Sequence, residues 1–138
     1  MRLMTPEDFF KNTRVVVRKG SYAIVKSRRS KSDAFKDAFA LIQDGREVTA
    51  VIEESAIRSR IEEDVVAVER GWKILTFDTT LPFELVGFLA RVSGALAEEE
   101  ISIFVISSYS TDHILVKEKD VERAVRKLEE LGCVVVER

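Results

Sequence analysis

"ISIFVISSYSTDHILVK", residues 101–117, decides the fold of this chain. Its first seven residues carry two alternating apolar sets, Ile101/Ile103/Val105 and Phe104/Ile106, the pattern of a strand buried on both faces. Six polar or half-polar residues, 107–112, then interrupt the run before "HILVK" resumes it. Strand, turn and returning strand make a hairpin.

Downstream, "KDVERAVRKLEELG" (119–132) places Val121, Ala124, Val125, Leu128 and Leu131 at helical spacing, with Gly132 just past the end, before a last strand "CVVVE" (133–137). Upstream, "TTLPFELVGFLARVSGALAEEE" (79–100) sets Leu85, Phe88, Leu89, Val92 and Leu96 on one stripe, with Pro82 suited to a first turn. "VVAVERGWKILTFD" (65–78) reads as a strand pair, or one long strand interrupted near Gly71. The order is β-α-β-β-α-β. That is the order of a ferredoxin-like α+β sandwich, with helices on one face of an antiparallel sheet. Two helices cover only one face, so the other apolar face is expected to pack against the first part of the chain, a second copy, or both.

The first part reads β-α-β: a strand signal around a Gly-Ser break in "RVVVRKGSYAIVKS" (14–27), a helix over "SDAFKDAFALIQDG" (32–45) capped by Ser32 and Gly45, and a strand "EVTAVIEE" (47–54). A short helix, "SAIRSRIEE" (55–63), follows. Laid on the second part, Tyr22-Ala23-Ile24-Val25 falls on Trp72-Lys73-Ile74-Leu75, Phe35 on Leu85, Phe39 on Leu89, Ile42 on Val92, and "VTAVIEES" on "ISIFVISS". Self-similarity at about fifty residues points to a duplicated unit. The expected division is 1–64 and 65–138.

The 138 residues are 46% apolar and 33% charged with net charge −2, so a core is affordable and no global charge points to nucleic acid or an acidic membrane. Cys133 is the sole cysteine, which excludes an intrachain disulfide. No run approaches the roughly 18 apolar residues of a membrane span, and the N-terminal residues lack an apolar signal core. The expected compartment is the cytoplasm.

Ser107, Ser108, Asp112 and His113 include the residue types of a hydrolase triad. Adjacent Asp112 and His113 point to opposite faces of a strand, however, and no strand-turn-helix elbow presents a serine. No catalytic residue is assigned. His113 has no cysteine or second histidine to join it, so no metal site is assigned either, and no cofactor motif is present. Residues 14–31 hold seven basic residues and no acidic one; a charged strand edge that discourages aggregation accounts for them more simply than a nucleic-acid contact.

In this topology the segment entering the first helix and the 107–112 turn can meet at one end of the sheet. Helix N–H groups attract a carboxylate, Asp112 can hold an ammonium, and the Ser/Thr hydroxyls can orient both. That inventory suits an α-amino acid. It equally suits a hairpin whose side chains satisfy their own backbone.

Residues 71–128, from "GWKILTFD" through "ALAEEEISIFVISSYSTDHILVKE", resemble the ACT domains, in particular the tandem-ACT proteins of the CASTOR-like subgroup and small bacterial and archaeal relatives. Residues 1–64 resemble that family's shorter, divergent first unit. The resemblance implies a non-enzymatic regulatory protein of two ACT-like units packed together. It would bind an amino acid at an interface between ACT units, form a homodimer and pass occupancy to a protein partner. By the same resemblance the ligand residues would be Glu84, Leu85, Val86 and Gly87 on one side and Ser107, Ser108, Tyr109, Ser110, Thr111 and Asp112 on the other, with Ser108 where Thr is common. The alternative is a structural or oligomerisation module without a physiological ligand.

Overall fold

The computed structural model describes residues 5–11, 13–28, 35–57, 65–79, 83 and 85–137. Its elements are helix α1 (Pro6–Phe10), strands β1 (Arg14–Val17), β2 (Tyr22–Ser27), β3 (Ala40–Gln43), β4 (Val48–Glu53) and β5 (Val65–Asp78), helix α2 (Phe88–Glu98), strands β6 (Ile103–Ser107) and β7 (Asp112–Lys117), helix α3 (Val121–Leu131) and strand β8 (Val134–Glu137). Short 3₁₀ turns cover Glu54–Ala56 and Glu118–Asp120. Contacts divide the chain into two compact units. One comprises Met1–Lys19 with Lys73–Arg138, and the other Gly20–Trp72.

The first unit contains the expected β-α-β-β-α-β order in β5, α2, β6, β7, α3 and β8, an α+β ferredoxin-like arrangement. The 107–112 turn joins β6 to β7 as an antiparallel pair, with Phe104 opposite Leu115 and Ser107 opposite Asp112. β7 also pairs with β5. An additional strand from the chain's start enters this sheet. β1 runs antiparallel to β5 (Val15 opposite Phe77) and parallel to β8 (Val15 opposite Val135), so it separates the two. The division therefore does not fall at 64/65, because residues 14–17 take their hydrogen bonds from residues 75–78 and 134–137.

Side chains on the helix side of this sheet build one core. Phe10, Val15, Leu75, Phe77, Val92, Leu96, Ile114, Val116, Ala124 and Leu128 are all fully buried in it. Phe88 joins two of these rings, tilted at 5.1 Å from Phe10 and edge-on at 5.2 Å from Phe77. The opposite pleat is covered as well, since Ile74 and Leu115 are buried completely and Val16, Thr76 and His113 nearly so. β6 itself departs from the two-sided burial that its double apolar alternation predicts: Ile103, Phe104 and Ile106 are half-buried and Val105 is exposed.

α1 begins with a capping box: Thr5 Oγ1 accepts from Asp8 N at 3.3 Å, and Asp8 Oδ2 accepts from Thr5 N at 3.0 Å, with Pro6 in the first turn. α3 ends at Gly132, whose φ of 111° closes the helix in the left-handed region. Arg123 ties the two longer helices together. Its guanidinium donates to the Glu99 carbonyl and to Asp120 Oδ1, both at 2.6 Å.

The second unit is a sheet in the order β3, β4, β2 and the first part of β5, around Ala23, Val25, Phe35, Val48, Ala50 and Ile52. It corrects the expectation of a helix over 32–45. Residues 35–37 turn, and Ala40–Gln43 pairs antiparallel with β4. The decisive local chemistry is Asp44-Gly45: Gly45 has a φ of 88°, and Asp44 Oδ1 accepts from the N–H groups of Arg46 and Glu47, both at 3.0 Å. These two bonds lower the Asp44 pKa. What read as a helix end is a hairpin turn. Leu41 and Ile42, within that expected helix, are strand residues 40% and 44% exposed.

Gly71 interrupts β5 without ending it. Opposite the two-residue step from Tyr22 to Ile24, β5 advances three residues, from Trp72 to Glu69, so the interruption is a bulge with Gly71 at φ 81°. Glu54 Oε1 accepts from Gly71 N at 2.6 Å and fixes it. Of the expected helix over 55–63, residues 58–63 lie outside the described residues; its start is the 3₁₀ turn.

Candidate functional site

The end of the first unit holds a cleft of about 410 Å³. One wall comes from Phe83, Leu85 and the start of α2 (Gly87, Phe88, Leu89, Ala90); the other is the whole β6–β7 turn, residues 107–112. The size lies within the range of small-molecule pockets.

α2 starts later than its apolar stripe predicts. Gly87 is its N-cap at φ 86°, a conformation that a side chain would strain, and it has no side chain with which to cap the first turn. Leu85 therefore precedes the helix and packs partly buried against the core, while Phe88 is the first stripe residue on the helix. The first-turn residues of α2, Phe88, Leu89 and Ala90, line the cleft.

Across from it the turn is held by its own side chains. Ser107 Oγ donates to Asp112 Oδ1 at 2.6 Å, and the Thr111 carbonyl accepts from both the N–H and the hydroxyl of Ser108 at 2.9 Å. Asp112 stays half-exposed at the cleft. At the mouth, Phe83 and Tyr109 meet edge to face, with centroids 4.8 Å apart and planes at 72°.

The structure thus gathers Leu85, Gly87, Ser107, Ser108, Tyr109, Ser110, Thr111 and Asp112 around one cleft. Val86 does not line it; its side chain is 82% exposed. Glu84 lies outside the described residues. Sequence reasoning did not single out Phe83, Phe88, Leu89 and Ala90 as cleft residues. The apolar stripe places Phe88 and Leu89 in the core, and the signal for the true helix start is Gly87.

His113 points to the opposite sheet face, away from Asp112 as strand alternation requires, and is buried. Its Nδ1 lies 2.9 Å from Thr76 Oγ1, which accepts from Arg18 Nε at 3.0 Å. Because Thr76 already accepts there, its hydroxyl proton can be given to a neutral imidazole with a bare Nδ1. Burial, then the Arg18 charge, lower the His113 pKa, against a smaller opposing effect of Asp112. Burial likewise pushes the Cys133 thiol up to about 11, which makes it a poor nucleophile. Among the described residues no cluster of His, Cys, Asp and Glu could hold a metal ion. No helix among them is long and apolar enough to cross a membrane.

Residues 67–130 match the family described as the ACT domain. Over nearly its whole length the chain is similar to a crystal structure of an Agrobacterium tumefaciens protein (26% identity, TM-score 0.76, 92% of this chain and 94% of that one). It is also similar to a Vibrio cholerae protein of unknown function (25% identity, TM-score 0.72, 89% and 92%). At 10% identity it shares the fold of the regulatory subunit of aspartate kinase from Thermus thermophilus (TM-score 0.60, 86% and 95%).

Proposed function

We propose that the chain is a non-enzymatic regulatory module that binds a free α-amino acid in the cleft between residues 83–90 and 107–112. One observation carries the reading: within the ACT-matching segment, a helix start faces a hydroxyl-rich turn bearing a carboxylate across a cleft of ligand size. The α-carboxylate would lie at the first turn of α2, and the ammonium at Asp112. Ligand binding regulates only through different affinity for two arrangements of the protein, so a homodimer or a regulated protein partner would be the recipient of that difference. The proposal includes a cytoplasmic, tandem-ACT protein of the CASTOR-like kind, with Gly20–Trp72 drawn from a shortened ACT-like unit.

Differential scanning fluorimetry against the twenty amino acids tests the reading. At least one should raise the melting temperature, and a flat response to all of them at millimolar concentration would sink it. The hydrogen bonds within the 107–112 turn favour a second reading, a structural module whose hairpin satisfies itself. Asp112→Ala separates the two. Lost ligand response with intact assembly supports sensing, whereas lost folding alone supports the structural module.

A further inference from the structure

The described residues that line the cleft lack positive charge. They include one carboxylate, Asp112, and no Lys, Arg or His. The next cation along the chain, Arg91, is engaged elsewhere, with its Nε 2.8 Å from Glu7 Oε1 on α1. His113 follows Asp112 but lies on the other face of the sheet, buried against Thr76. A carboxylate on a ligand's side chain would therefore find no cation in either wall to compensate it.

The aromatic residues add a second, independent preference. Phe83 and Tyr109 come one from each wall and touch, yet remain 72% and 81% exposed. Their electron-rich faces attract ammonium and guanidinium groups and also suit apolar side chains, but repel a carboxylate.

We infer that the cleft selects monocarboxylic amino acids of zero or positive net charge and rejects dicarboxylic ones, with Asp112 and the Phe83–Tyr109 pair as the specificity determinants. This rests on the reading that the cleft binds an amino acid. At an effective dielectric constant of about 20, a second carboxylate roughly 6 Å from Asp112 weakens binding on the order of a hundredfold, reduced toward tenfold by salt at this half-exposed position.

Isothermal titration of the full chain with L-leucine, L-phenylalanine, L-lysine, L-arginine, L-aspartate and L-glutamate tests it, together with the 2-oxo acid matching the tightest binder. One of the first four should bind. Aspartate and glutamate should bind at least about tenfold more weakly, and the 2-oxo acid, which lacks the ammonium, should lose at least as much. Asp112→Asn keeps the size and an acceptor oxygen and should weaken the best ligand by about tenfold. Phe83→Ala, at an exposed ring, should weaken it severalfold with the melting temperature unchanged. Aspartate or glutamate binding as well as the best of the others would overturn the selectivity while leaving the amino-acid reading intact. An undiminished 2-oxo acid would also overturn it, as would full affinity in Asp112→Asn. Silence from all six amino acids, together with a flat melting response to the other fourteen, would overturn both.

Discussion

His113 shows how one residue's environment decides its chemistry. It is the chain's single histidine and is buried beside Thr76, with its pKa lowered from the ordinary 6.5. The folded protein then binds that proton less readily than the unfolded chain does. Its contribution to stability is full above about pH 6.5 and falls as the pH drops below 6.5 toward the lowered native value. Urea midpoints measured from pH 7.5 to 5.5 should therefore fall more steeply for the natural chain than for His113→Gln, which cannot titrate there. Parallel curves would show that the imidazole is not held neutral. The adjacent Asp112 faces the cleft, and that separation was legible in the sequence because strand alternation is a strict period of two. The Thr76 and Arg18 partners were not legible, since one comes from β5 and the other from just after β1, 37 and more residues away in sequence.

At the scale of elements, what was legible depended on whether one period stood alone. The β6–β7 hairpin and α3 each carried a single clear pattern with closing turn chemistry. Residues 35–45 carried two: apolar spacing compatible with a helix, and an Asp-Gly pair that is a hairpin signal. The hairpin prevailed because Asp44 satisfies two backbone N–H groups and β4 supplies a ladder. For this reason the superposition of Ile42 on Val92 places a strand residue on a helical one. The Thr5–Asp8 capping box was a readable start signal for α1 that the composition of the N-terminus had obscured. Helix ends also make the clearest element-level prediction. Gly132 combines φ 111° with Lys11 backbone atoms 3.4 Å from where a Cβ would stand. Gly132→Ala should therefore cost more than about 1 kcal/mol, measured by urea unfolding. A change within about 0.3 kcal/mol, the size expected of an unconstrained surface site, would contradict the geometry.

At the scale of the molecule, the chain's order and its compact units do not coincide. Sequence alone favoured a self-sufficient segment 65–138, because its pattern is complete as β-α-β-β-α-β. Nothing local announced that residues 1–19 belong with it, since a strand's hydrogen-bonding partner leaves little trace in its own composition. Phe10, Val15 and Val17 are buried in the same core as Leu75, Phe77 and Leu128, and β1 holds β8 through a parallel ladder. Burying each of those three side chains stabilises by about 1.5–3 kcal/mol, so their removal approaches the roughly 5–15 kcal/mol that separates folded from unfolded domains. A chain of residues 65–138 should accordingly fail to melt cooperatively. Residues 73–138 joined through a flexible linker to 1–19 should regain a cooperative transition and dispersed amide resonances, because the linker restores β1 to its place beside β5 and β8. If 65–138 alone melts as sharply as the joined chain, then β1 is dispensable to that core, and β8 must be able to pair with the edge of β5 that β1 now occupies.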